Sequence, residues 1–238
     1  MPQVIAHRGG GGETLENTRE SIIYALSQKA SRYETDVRSL KDGTVVLQHD
    51  AQLDNPWGDS REVGELTSQE YFALRGPRGE RPVSLKNALE DFPTLSYNVD
   101  IKEPCTLAGT LQIVNDADAW QRVVFSSFSS RTLLDVRKRY PQAQTCLSPH
   151  EVLQALIAAR SAGKRRFHSS AAFAQVPLKW AGIGIVDRAF VAWCHRQGIR
   201  VEPWTINDEV EMRQLVSLGV DAIMTDYPKR LKEVFRTL

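Results

Sequence analysis

The chain has 238 residues, 42% hydrophobic and 25% charged, which excludes a largely disordered protein and is enough for a sizeable core. Its 30 Lys and Arg against 29 Asp and Glu leave a formal net charge of +1, which excludes the broad basic surface of a dedicated nucleic-acid binder. Cys105, Cys146 and Cys194 are too scattered for a disulfide framework or a zinc site, no leader-like N-terminus is present, and no apolar run approaches the roughly 18 residues of a membrane span. The expectation is a cytoplasmic protein with reduced thiols, no membrane insertion and no nucleic-acid partner.

Short β-rich runs alternate with amphipathic stretches. Gln3–His7 is the first strand candidate; Gly9–Gly12 leads from it to a helical candidate over Glu16–Gln28. Arg32–Val37 is the second strand. Lys41-Asp42-Gly43 is a turn that sends Thr44–His49 back as a hairpin. Residues 51–82 are polar, contain Gly and Pro, and read as a loop or small lid. Strand candidates follow at Leu95–Lys102, Arg122–Phe128, Gln144–Ser148, Arg165–Ser169, Arg200–Thr205 and Ala222–Asp226. Helical candidates stand between or after them at Ser130–Arg139, Pro149–Ala162, Val186–Gln197, Asp208–Leu218 and Pro228–Phe235. Pro149 and Pro228 suit first helical turns, Asn207 or Asp208 an N-cap, and Gly198 and Gly219 helix ends. About eight βα units predict a (β/α)₈ TIM barrel in one domain, residues 1–238, with residues 51–82 as an insertion. An open doubly wound sheet is the alternative.

In a barrel, catalytic groups gather at the C-terminal ends of strands. Polar residues fall there in nearly every unit: His7-Arg8-Gly9, Glu34 with Asp36, His49-Asp50, Asp100 with Lys102, Ser127-Phe128, His168, Trp204 with Asn207, and Asp226. Glu34 and Asp36 share one face of a strand, as do Asp100 and Lys102. Three carboxylates converging there repel one another unless a hard divalent cation joins them, and oxygen ligands suit Mg²⁺ or Ca²⁺. Ion pairs from Arg8, Arg38 or Lys102 are the alternative. His7 and His49 are candidate proton-transfer groups. Arg8 and Lys102 suit a phosphate, and the backbone N–H groups of Gly9–Gly12 could face an anion. Phe128 and Trp204 are candidate apolar walls. His150 and His195 fall within helices, and Lys164-Arg165-Arg166 reads as a solvated helix end.

His7-Arg8-Gly9, Glu16-Asn17-Thr18, Glu34-x-Asp36-Val37, Lys41-Asp42-Gly43 and His49-Asp50, followed by Asp100-Ile101-Lys102, Ser127-Phe128, Trp204-Thr205-Ile206-Asn207 and Gly219 through Pro228, resemble in order the glycerophosphodiester phosphodiesterases. The resemblance covers about residues 3–229. It implies a TIM barrel that hydrolyses glycerophosphodiesters, such as glycerophosphocholine or glycerophosphoethanolamine, to sn-glycerol 3-phosphate and an alcohol, with one divalent cation. By position, His7 and His49 match the catalytic histidines, and Glu34 and Asp36 the metal carboxylates. Arg8 and Lys102 match the phosphate-facing cations, and Trp204 lines the glycerol side. Asp100 stands where the family usually has a metal-binding glutamate, and Leu15 where it usually has proline. A lysophospholipase D-type activity and a non-catalytic phosphate-binding barrel are the alternatives. The expected partner is a small-molecule glycerophosphodiester, bound by a monomer or homodimer, with Phe128, Trp204 and the insertion closing the mouth.

Overall fold

The computed structural model describes residues 1–161 and 164–238. Its strands are β1 (Gln3–Ala6), β2 (Arg32–Ser39), β3 (Val45–Leu47), β4 (Tyr97–Ile101), β5 (Val123–Ser126), β6 (Gln144–Thr145), β7 (Phe173–Ala174), β8 (Lys179–Trp180), β9 (Ile183–Gly184), β10 (Arg200–Val201) and β11 (Ala222–Thr225). Its helices are α1 (Arg19–Ser27), α2 (Asp54–Trp57), α3 (Ser68–Ala73), α4 (Leu85–Asp91), α5 (Leu107–Asp116), α6 (Ser130–Arg139), α7 (Pro149–Arg160), α8 (Arg188–Arg196), α9 (Glu209–Leu218) and α10 (Pro228–Arg236).

The strands close into a ring. β11, β1, β2, β4, β5 and β6 pair in that order, all parallel. A parallel bridge between Cys146 and Phe173 carries β6 onto β7, and β7 pairs in parallel with β10. The amides of Asp221 and Met224 donate to the carbonyls of Val201 (2.9 Å) and Pro203 (3.0 Å), carrying β10 back to β11. This is the (β/α)₈ barrel, and a closed ring has no exposed edge to template aggregation. β3 is the expected hairpin return, antiparallel to β2 after the turn at Gly43.

Local chemistry explains the boundaries. Thr18 and Ser21 form a capping box at α1, so the helix starts at Arg19 rather than Glu16. Asp187 and Asp208 cap α8 and α9, and Pro149 and Pro228 occupy first turns. α7 runs to Arg160; the expected end at Ala162 lies outside the described residues. α4 and α5 had no predicted counterpart. Gly109 sits inside the continuous helix α5, where an added Cβ would lie 2.9 Å from Val45 Cγ2. The seventh strand is Phe173–Ala174, not Arg165–Ser169: Lys164, Arg165 and Arg166 are exposed, and the barrel bonds are made by Ala172 and Leu147 with Thr145 and Phe173.

Apolar residues between barrel and helices form two large clusters. One gathers Ile22, Tyr33, Val99 and Phe125; the other gathers Ala155, Phe190, Met212 and Leu231. Full burial of a side chain such as Phe190 contributes about 1.5–3 kcal/mol. Residues 51–82 carry their own cluster of Leu53, Trp57, Val63, Leu66 and Tyr71, packed on Leu40 and Val46 of the hairpin. The insertion is therefore held by a small core rather than hanging as a loop.

Candidate active site

The parallel register sets the site. Glu34 lies opposite Asn98 and Asp36 opposite Asp100 on β2 and β4, and Asp100 lies opposite Ser126 on β5. Alternate side chains on a strand share a face, so these groups face one cavity of about 310 Å³ at the barrel mouth. His7, Arg8, His49, Lys102, Phe128 and Trp204 line the same cavity. All nine residues singled out in the sequence are brought together.

His7 and Arg8 occupy a tight turn after β1. Arg8 has φ 50° and Gly9 φ 86°. A Cβ on Gly9 would lie 2.6 Å from Ser21 and Tyr33, so only glycine fits. The Gly9–Gly12 run does not cradle an anion: the amides of Gly10 and Gly11 donate to the His7 carbonyl, and that of Gly12 donates to the Asp226 carbonyl.

His7 Nδ1–H donates to Asp226 Oδ1 at 2.6 Å, which leaves Nε2 near Glu34 Oε2 at 3.8 Å. Burial pulls its proton affinity down, but the Glu34 charge and the Asp226 bond outweigh it and raise the pKa above 6.5. Asn207 Nδ2 holds the other Asp226 oxygen at 2.7 Å. His49 Nδ1–H donates to Asp50 Oδ1 at 2.8 Å, on the hairpin side of the mouth.

The acids differ in environment. Asp36 is almost fully buried. Desolvation raises its pKa, yet Lys102 (Nζ–Oδ1 2.7 Å) and Arg8 (Nε–Oδ2 3.4 Å) bring it below the ordinary value. Asn17 donates to the same carboxylate at 3.2 Å. Lys102 also holds Asp100 Oδ2 at 2.7 Å, but desolvation first and the Asp36 charge second keep the Asp100 pKa raised. Glu34 has no Lys or Arg side chain within 4 Å among the described residues; it accepts the Arg8 amide at 3.0 Å. Desolvation and the Asp36 charge push its pKa up to about 7. Arg38 pairs with Glu103 and not with the site acids.

Beneath this layer Arg32 and Glu202 form a buried bidentate pair (2.8 and 2.9 Å). Gln175 bridges Glu202 (2.9 Å) to Asn98 (2.8 Å), and Asn98 donates to Ser126 (3.2 Å). Sequence pattern marks Asp226 and Asn207 only as polar groups at strand ends and does not mark Asn98 or Gln175. None of residues 51–82 lines the cavity; the mouth is bordered instead by Phe128, Trp204 and the β8–β9 hairpin. Phe128 stands edge-on to Trp204, ring centroids 6.0 Å apart. His150, His168 and His195 do not line it.

The family model for the glycerophosphoryl diester phosphodiesterase family matches residues 7–230. The chain belongs to this family. It is a glycerophosphodiester phosphodiesterase, a phosphoric diester hydrolase. It is 26% identical over 247 residues to a glycerophosphodiester phosphodiesterase of Caldanaerobacter subterraneus subsp. tengcongensis, covering 98% of this chain and 97% of that one. It is 26% identical to a lysophospholipase D of Rattus norvegicus, covering 98% of this chain and 86% of the relative. An Oleispira antarctica phosphodiesterase, solved with the product sn-glycerol-3-phosphate, superposes with a TM-score of 0.80 at 25% identity, covering 99% and 97% of the two chains. Relatives of this phosphodiesterase family are generally metal-dependent.

The donor set of the phosphodiesterase suits a hard divalent cation. Glu34, Asp36 and Asp100 are three buried oxygen donors, and the raised Glu34 pKa marks an acid that the resident Arg8 and Lys102 leave uncompensated. Lys102 stands between Asp36 and Asp100, and among the described residues no three His, Cys, Asp or Glu form a ready-made metal cluster.

Proposed function

We propose that the phosphodiesterase hydrolyses glycerophosphodiesters with small polar head groups, releasing sn-glycerol 3-phosphate and an alcohol, through His7 and His49 in the single domain 1–238. The observation that carries this reading is the cavity they share, with the His7 imidazole anchored by Asp226 at 2.6 Å beside an acid-rich wall that raises its pKa. Glu34, Asp36 and Asp100 would hold the divalent cation, Mg²⁺ or Ca²⁺, which when bound supplies Lewis-acid neutralisation of phosphate charge.

Arg8 and Lys102 orient the phosphodiester, Arg8 through a planar fork and Lys102 as a point charge. His49, with Nδ1–H committed to Asp50, presents Nε2 as the base that takes the proton of the attacking hydroxyl. A new P–O bond forms to that oxygen as the P–O bond to the head-group alcohol breaks. His7, whose pKa Glu34 and Asp226 raise, gives its Nε2 proton to the leaving oxygen. Attack by water gives sn-glycerol 3-phosphate directly; attack by the neighbouring glycerol hydroxyl gives a cyclic phosphate, whose ring P–O bond breaks as water adds, with the two imidazoles exchanging roles. Trp204 packs against the glycerol carbons and Phe128 covers the mouth.

Phosphorus-31 NMR of glycerophosphocholine with purified protein and Mg²⁺ or Ca²⁺ tests the reading. A growing sn-glycerol 3-phosphate signal supports it. Phosphocholine instead, or no product, refutes it. The apolar wall of the cavity, with Leu147, Val176 and Pro177, favours a second reading in which the head-group side of a lysophospholipid is cut in the same way.

A further inference from the structure

The cavity lining is uneven. β2 and β4 supply its charged wall, while Val152, Val176, Pro177, Trp180 and Ile185 form an apolar arm. That arm continues outward onto the β8–β9 hairpin, where Trp180 pairs with Ile183 across the strands. Trp180 is 62% exposed and Ile183 54%. The stretch Trp-Ala-Gly-Ile-Gly-Ile-Val over residues 180–186 has no charge and no aliphatic polar side chain. Phe128, which lines the same mouth, is 69% exposed. A patch of this kind beside a binding cavity is costly in water unless something covers it.

The charges around the hairpin are one-sided. Lys179 opens it and Arg188 follows it at the start of α8, both exposed, and among the described residues neither has a carboxylate within 4 Å. Asp187, the acid next to them, is paired with Arg160 at 2.9 Å, and Arg160 also donates to the Gly184 carbonyl at 2.6 Å. An apolar tip with a cationic collar matches a surface that is anionic outside and apolar within. Trp is the side chain best suited to that boundary.

We propose that the hairpin Lys179–Gly184 is a peripheral docking element that seats the barrel mouth on an anionic lipid surface. Trp180 and Ile183 enter the headgroup layer, and Lys179 and Arg188 meet lipid phosphates. The apolar arm then opens toward the surface, so a one-chain phosphodiester lipid can pass into the cavity with its chain against Trp180 and Ile185. The proposal takes from the functional reading only that the cavity receives a phosphodiester.

Sedimentation with phosphatidylcholine vesicles, with and without phosphatidylglycerol, tests it. Anionic vesicles are expected to bind the protein at least about tenfold more tightly than neutral ones, and Lys179→Glu and Ile183→Asp to lose about tenfold each. Brominated lipid is expected to quench part of the tryptophan emission, and Trp180→Phe to remove that part. Ile183 does not line the cavity, so Ile183→Asp keeps wild-type hydrolysis of soluble glycerophosphocholine. Vesicle binding without hydrolysis would refute the functional reading alone. Absent binding to anionic vesicles, or equal binding by Ile183→Asp, overturns the docking proposal. So does a dimer dissolved by Ile183→Asp in a protein that ignores vesicles, which would assign the hairpin to a second copy.

Discussion

His7 Nδ1 lies 2.6 Å from Asp226 Oδ1, tying the end of the first strand to the end of the last where the barrel closes. The contact commits Nδ1–H to Asp226, leaves Nε2 as the ring nitrogen free to face the cavity, and adds to the charge that raises the His7 pKa. Asp226→Asn is expected to lower kcat about 10–100-fold with little change in melting temperature, and His7→Ala by roughly 10²-fold or more. The rate of glycerol 3-phosphate release, read beside circular dichroism, checks both. Wild-type turnover in Asp226→Asn would remove the carboxylate from the mechanism.

His49 makes its hydrogen bond to a partner that is itself largely exposed, so the two residues separate experimentally. His49→Ala is expected to cost about 10²-fold or more in kcat. Asp50→Ala is expected to cost only a few-fold, because water can replace an exposed acceptor. Steady-state kinetics on the two variants decide this.

Arg32 and Glu202 form a buried pair under the site, with Glu202 fully enclosed and the Arg32 guanidinium 4.7 Å above the Phe173 ring. Removing one partner strands the other charge. Glu202→Met or Arg32→Met is expected to cost about 3–5 kcal/mol, and the double variant markedly less than their sum. Urea denaturation of the four proteins measures the coupling; additive costs would contradict it.

Glu151 receives Arg137 at 2.8 and 3.0 Å, Ser169 at 2.6 Å and the Ser148 amide at 2.8 Å. Desolvation raises its pKa, but these bonds outweigh it, so the folded value lies below the ordinary 4.5. A depressed acid stabilises the fold above its unfolded pKa and loses that contribution as pH falls through the folded value. Glu151→Gln is therefore expected to be about 2 kcal/mol less stable at pH 7, with the gap narrowing below the ordinary carboxylate pKa. A gap that stays constant in urea titrations down the acid range would contradict this.

The barrel was legible because its strand–helix rhythm and caps are local. Ser130–Arg139 emerges with the expected boundaries, and Asp208 caps α9 as its chemistry demands. β7 lies at Phe173–Ala174 rather than Arg165–Ser169 because its local run, Ala171-Ala172-Phe173-Ala174, carries no β-branched residue to mark it, whereas β6 and β10, equally short, begin more strand-like runs. Glu34 with Asp36 and Asp100 with Lys102 are legible through i, i+2 spacing, and His7, Arg8 and His49 as polar groups at strand ends. Gln175 and Trp180 are not, since only ring closure brings β7 and the β8–β9 hairpin to the mouth. Whether Lys102 would pair with Asp36 or leave it to a cation was open in the sequence; its 2.7 Å contacts to both Asp36 and Asp100 are a matter of packing.

The most direct test of the account compares wild type with Glu34→Gln for glycerol 3-phosphate release from glycerophosphocholine, first in EDTA and then with Mg²⁺ or Ca²⁺ restored. Glu34 is a site acid with no Lys or Arg side chain within 4 Å among the described residues, its pKa raised to about 7. Wild-type activity is expected to vanish in EDTA and return with the ion, while Glu34→Gln stays at least about 10²-fold lower with either. Undiminished release in EDTA, or wild-type rates in Glu34→Gln, would contradict the assignment of the acid-rich wall to a divalent cation.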